Sequence, residues 1–113
     1  MEIQTKFSGE IPVISLSGSL NSSIQCNELL KVLEEDVFPK STKVVINIKN
    51  LTYMNSEGIG VFITILTKSR NRSGELMLTN VNQTIKKLLA ITKLENIFNI
   101  EETEAQGVAF LTK

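Results

Sequence analysis

The residues best placed to do chemistry are Asn55-Ser56-Glu57-Gly58-Ile59-Gly60. They join a strand-like run, Lys43 to Ile48, to a helix-like run from Glu57 to about Arg70. The first N–H groups of a helix lack internal partners, and that end carries partial positive charge. A side chain there can cap the helix, and a phosphate there would be well placed. Residue types alone leave two readings open. Asn55 or Ser56 is simply an N-cap, or Ser56 offers a hydroxyl for modification.

Other chemistry finds few residues to work with. The chain has no histidine, and its single aspartate, Asp36, lies far along from Ser56. Ser56 therefore has no local base to make it a nucleophile. One cysteine, Cys26, and no histidine make a metal site improbable, and no cofactor is expected. There is no Gly-x-x-x-x-Gly-Lys loop and no Gly-x-Gly-x-x-Gly fingerprint. Gly58-x-Gly60 alone is too short to mark a nucleotide site; its plainer use is to admit another backbone or a bulky partner. The expectation is a protein that is not an enzyme.

Patterning supplies the elements that must hold this turn. Residues 3 to 17 read as two short strands around Ser8-Gly9-Glu10, with Pro12 at a strand start or edge. Gly18 to Ser23 reads as a polar turn. A helix is expected from about Ser23 to Val37, with Cys26, Leu29, Leu30, Leu33 and Val37 on its inner face and Pro39 ending it. Glu34-Glu35-Asp36 reads as a solvated face. In the next helix Ile59, Phe62, Ile63 and Leu66 form one apolar stripe, and Val61 and Ile65 lie off it. Strands follow at Glu75 to Thr79 and Ile97 to Ile100, around a helix from about Asn82 to Thr92. The tail, Glu101 to Lys113, reads as a short helix or a frayed end, with Val108, Phe110 and Leu111 apolar enough to dock.

The chain of 113 residues is long enough for one core and is expected to be one domain, residues 1–113. Twelve basic residues balance twelve acidic ones, so nothing suggests nucleic acid or an anionic membrane as a partner. No apolar run approaches the roughly 20 residues that span a bilayer. The N-terminus lacks the pattern of a signal peptide.

The order of elements around the turn resembles the STAS domain of bacterial anti-sigma-factor antagonists. The resemblance rests on Leu51-Thr52-Tyr53-Met54, the polar pair, Gly58-Ile59-Gly60, the helix, and Gly74-Glu75-Leu76-Met77-Leu78, and it covers about residues 3 to 100. It implies an α/β STAS fold, a mixed sheet of about five strands packed by three to four helices. It also implies partner switching in the cytoplasm. The unmodified antagonist binds an anti-sigma factor that is a GHKL-type serine kinase. The kinase phosphorylates a serine at the start of the second helix and the complex separates. A metal-dependent Ser/Thr phosphatase resets the cycle. Free antagonists of this family are commonly monomeric.

The family pattern at the turn, Asp-Ser-Ser/Thr/Ala-Gly-Leu-Gly, places Ser56 at the phosphoacceptor position. The implied partner surface comprises Asn21, Ser22, Asn55, Ser56, Glu57, Gly58, Gly60, Val61 and Ile65, with core membership the alternative for the last two. Asn55 stands for the family's aspartate, Glu57 for a small residue, and Asn21 for an acid. STAS domains also serve as constitutive, unphosphorylated subunits of signalling scaffolds or transport complexes. Asn55 and Glu57 favour that second reading; Ser56 and its Gly-Ile-Gly context favour the first.

Overall fold

Val44, Val45, Ile46 and Ile48 are apolar on both sides of one strand, a pattern that calls for cover on both faces. The computed structural model describes residues 1–112 and provides that cover. The strands are Glu2–Ser8 (β1), Ile11–Leu20 (β2), Lys43–Met54 (β3), Glu75–Thr79 (β4) and Asn99–Glu101 (β5). They form one sheet in the order β1-β2-β3-β4-β5, with β1 antiparallel to β2 and the remaining pairs parallel. The α/β class, the mixed sheet and its five strands are as expected.

Each parallel step needs a crossover, and each moves the chain the same way across the sheet. Crossovers of one hand then place their helices on one face. Ser23–Val32 (α1), Ser56–Asn71 (α2) and Gln83–Ile91 (α3) accordingly share a core with Ile14, Ile46, Leu76 and Leu78. The last helix, Glu104–Leu111 (α4), covers the other face, where Val13, Val45, Met77 and Leu111 pack together. Gly107 brings α4 close, since a Cβ there would lie 2.6 Å from Thr79 Cγ2.

Several boundaries differ from expectation. Gly18, Ser19 and Leu20 extend β2 instead of forming a turn, because β3 continues alongside as far as Met54. Pro12 sits at the start of β2, before pairing with β3 begins at Val13, so its missing amide costs no ladder bond there. The first helix changes to a π-helical turn at Leu33–Val37, where the Phe38 amide donates to the Leu33 carbonyl. That wider turn buries Leu33, Val37 and Phe38 together. Glu34 is paired instead of solvated, 3.0 Å from Lys68 Nζ and 3.5 Å from Arg72 Nη2. The last strand begins at Asn99, two residues later than expected. The tail is helical, closed at its start by a reciprocal Thr103–Gln106 capping box, while Phe110 points outward at 44% exposure. The expectation for the tail included residue 113, which lies outside the described residues. Among the described residues, no helix is long and apolar enough to cross a membrane.

A polar contact holds α4 to the edge of the sheet. Glu104 Oε2 lies 2.8 Å from Lys6 Nζ, and Asn47 Nδ2 donates to Glu104 Oε1 at 3.2 Å. The Lys6 ammonium, helped by Asn47, holds the Glu104 carboxyl below its ordinary range against the effect of burial. A folded-state value below the unfolded one stabilises the protein above the carboxylate range. That contribution is lost as pH falls through the range toward the folded value. We therefore expect Glu104→Gln to lower the unfolding free energy by about 0.5–1 kcal/mol near neutral pH, Lys6 being largely solvated. In urea denaturation the gap between variant and parent should close as pH falls below the ordinary carboxylate range. A gap independent of pH would contradict the pairing.

Candidate functional site

Three helices begin at the edge of the sheet where β2 and β3 end, each under a polar cap. Ser22 Oγ accepts from the Gln25 amide at 3.3 Å and caps α1. Asn82 Oδ1 accepts from Ile85 N at 3.0 Å and caps α3, while its Nδ2 donates to the Leu51 carbonyl at 2.7 Å. Asn55 caps α2, with Oδ1 accepting from Glu57 N at 3.0 Å and Gly58 N at 3.2 Å. Its Nδ2 donates to the Asn21 carbonyl at 3.1 Å, and its backbone amide to Leu20 O at 3.4 Å. One amide side chain thus closes the helix and joins the turn after β2 to the turn after β3. An aspartate could do the first and would have no proton for the second.

Because Asn55 does the capping, Ser56 is the first helical residue and not the cap. It is exposed, and its hydroxyl makes no hydrogen bond among the described residues. Glu57 is also exposed, and Ser23 Oγ donates to its Oε2 at 2.7 Å. That contact spans 34 residues of chain. Together with the Glu34 pairs it ties α1 to α2 at both ends. Asn21 is exposed and Ser22 half-buried, so both lie at this edge beside Asn55.

The other expected site residues divide. A Cβ on Gly60 would meet nothing within 4 Å, so that flank of α2 is open. A Cβ on Gly58 would come within 2.6 Å of Leu20 O and 2.9 Å of Met54 Cβ. Gly58 is a packing residue that seats α2 against the ends of two strands. Val61 and Ile65, read as off the apolar stripe, are buried at 4% and 0% exposure. The sheet alone would need one stripe, but α1 lies beside α2 and widens the covered arc. Val61 lines the groove against α1, and Ile65 follows one turn later. Ile65 offers a partner no free surface, and Val61 only the small part that lines the groove. Cys26 is buried, and burial, then the charge of Glu57, push its thiol up, which keeps it protonated and unreactive.

Reasoning from sequence missed Ser23 and Asn82, whose partners lie 34 and 31 residues away. It also missed a shallow apolar depression of about 270 Å³ beside the turn, between Tyr53, Met54, Leu88 and Ile91. A larger one, about 650 Å³, lies by the β1–β2 hairpin around Phe7 and Lys40, apart from Ser56. Among the described residues, no three acidic or Cys side chains gather as a metal site would require.

The STAS domain family model matches residues 2–107. The chain belongs to the STAS domain family. The anti-sigma-B factor antagonist of Bacillus subtilis (strain 168) is 29% identical to this STAS domain over 110 residues, 95% of this chain and 88% of that protein. The anti-sigma factor antagonist SpoIIAA in its unphosphorylated form superposes with a TM-score of 0.74 at 19% identity, covering 98% of each chain. The phosphorylated form of Bacillus SpoIIAA gives 0.73 at 21% identity, covering 96% of this chain and 97% of that one. A sulfate transporter family protein from Wolinella succinogenes shares the fold at a TM-score of 0.76 and 11% identity, covering 91% and 85% of the two chains.

The two glycines give opposite expectations. Gly58→Ala should destabilise the protein by about 1–3 kcal/mol in urea denaturation, the cost of overpacking against backbone. Gly60→Ala should stabilise it by up to about 1 kcal/mol, since alanine gains helix propensity and meets no neighbour. Equal effects would show that Gly58 is not seated as described. Asn55→Ala, which loses both the cap and the tie to Asn21, should cost about 1–2 kcal/mol.

Proposed function

We propose that this STAS domain is an anti-sigma factor antagonist in a partner-switching circuit. Unmodified, it binds an anti-sigma factor that is a GHKL-type serine kinase, and it is released when Ser56 is phosphorylated. The observation that carries this reading is the state of Ser56: an exposed hydroxyl in the first turn of α2, left unbonded because Asn55 takes over the cap. In the transfer the Ser56 oxygen would displace ADP from the γ-phosphoryl group of ATP, its proton passing to a base on the kinase. A metal-dependent Ser/Thr phosphatase would hydrolyse the phosphate and reset the cycle. The relatives described as anti-sigma factor antagonists, and SpoIIAA known in both phosphorylation states, support the assignment.

The chemistry needs no refolding. A phosphoserine adds about −1.5 to −2 charges near neutral pH. The α2 N-terminus accommodates it in the free protein, whereas a partner packed over the turn must desolvate it or withdraw. The proposed contact surface is Asn21, Ser22, Asn55, Ser56, Glu57 and the open flank at Gly60. Gly58, Val61 and Ile65 support it from beneath. We take the free protein to be a cytoplasmic monomer.

One observation favours the second reading, a constitutive subunit without phosphorylation. Glu57 adjoins Ser56, and two unit charges ~4 Å apart in water repel by about 1 kcal/mol, a dianion by about twice that. The Ser23 hydrogen bond ties that carboxylate to α1, which lessens the objection.

Ser56→Asp separates the readings. Against its cognate GHKL-type kinase, the variant should bind at least about tenfold more weakly than the parent, by the scale of charge introduced at an interface. Its melting temperature should stay within about 2 °C, since Ser56 is exposed and a negative charge suits a helix start. Unchanged affinity would remove Ser56 as the switch.

A further inference from the structure

Glu57 is the only formal charge within residues 21–27 and 50–67, the two segments that build the site. The polar residues of the first segment and of the turn are otherwise amides and hydroxyls: Asn21, Ser22, Ser23, Gln25, Asn27 and Asn55. Glu34, Glu75 and Glu104 each have a Lys or Arg within 4.0 Å, whereas Glu57 has none among the described residues. It is still not free to wander, because Ser23 Oγ holds Oε2 at 2.7 Å. The second oxygen accepts no hydrogen bond among the described residues. Beside it a groove of about 260 Å³ runs between α1 and α2, along buried Cys26 and Val61 and half-buried Leu30.

A fixed carboxylate without a cation, at the mouth of a partly apolar groove, suits one kind of occupant. A lysine or arginine can lay its methylene stem along the apolar wall and bring its charged head to the carboxylate. We propose that Glu57, oriented by Ser23, receives a basic side chain of the partner kinase in the α1–α2 groove and so helps select that kinase. This rests on the proposed function and names the chemistry of its partner. The cation neutralises Glu57 within the complex and removes the repulsion that phosphoryl transfer to Ser56 would otherwise meet. Because Ser23 ties the carboxylate to α1, the cation enters on that side of the turn. Ser56 remains open to the nucleotide.

The test uses the parent, Glu57→Gln, Glu57→Lys, Ser23→Ala and Ser56→Asp, each titrated with the purified cognate GHKL-type kinase at low and high salt. Glutamine can still accept from Ser23, so Glu57→Gln removes the charge and keeps the geometry. We expect Glu57→Gln to weaken binding about tenfold at low salt and by much less at high salt, as for a charge pair across an interface. Ser23→Ala, which only frees the carboxylate, should fall between parent and Glu57→Gln. Glu57→Lys should lose more, and Lys/Arg→Glu at one surface position of the kinase should restore it. As a kinase substrate, Glu57→Gln should show the loss in KM, with kcat within about twofold of the parent. If Glu57→Gln binds like the parent at low salt while Ser56→Asp is released, the cation receptor is wrong and the switch stands. If the parent itself does not bind the kinase, both fail.

Discussion

The site depends on one side chain, Asn55. Its oxygen receives the two amides that open α2, and its NH₂ group reaches across to the turn after β2. Two consequences follow. The start of α2 is held at a fixed place relative to α1, and the hydroxyl of Ser56 is left without an internal role. Were Ser56 the cap, its oxygen would accept a backbone N–H, and a kinase would have to break that bond. The aspartate usual in this family can cap but cannot donate, so the asparagine here adds a tie between turns at the cost of a negative charge.

Around that point the elements are tied to one another. Gly58 lets α2 rest against the ends of β2 and β3. The two helices flanking the site are joined near their starts by Ser23 and Glu57 and near their ends by Glu34 with Lys68 and Arg72. Val61 and Ile65 fill the space between. A phosphate added to such a surface has no bistable element to move. Its effect must be read by whatever covers the turn, through charge and desolvation. The most informative surface chemistry then lies in the few residues that differ from the family pattern, above all Glu57.

Much of this was legible in the sequence. The apolar run Val44–Ile48, the turn at Asn55-Ser56 and the spacing of Leu29, Leu33 and Val37 define local periods, and local periods are what a sequence displays directly. Ser56 at the helix start could be placed from them. The misreadings share a different cause. Val61 and Ile65 looked free because a single stripe satisfies one packing surface, and α2 has two. Gly18 to Leu20 looked like a turn because their composition is polar and glycine-rich, yet a parallel neighbour supplies ladder bonds that composition cannot report. Glu34 looked solvated, and Ser23 no more than part of a polar turn, because their partners lie on another helix, 34 residues or more away. Strand order was not derivable at all, since it depends on where each crossover lands.

The proposed switch requires Ser56 to be a phosphoacceptor. The most direct measurement is intact mass after incubating the protein and its Ser56→Ala variant with the cognate GHKL-type kinase and Mg-ATP. A single added phosphate on the parent and none on the variant is the predicted result. No added mass on the parent, with the two proteins still tightly bound, would contradict the switch and leave a constitutive STAS subunit in its place.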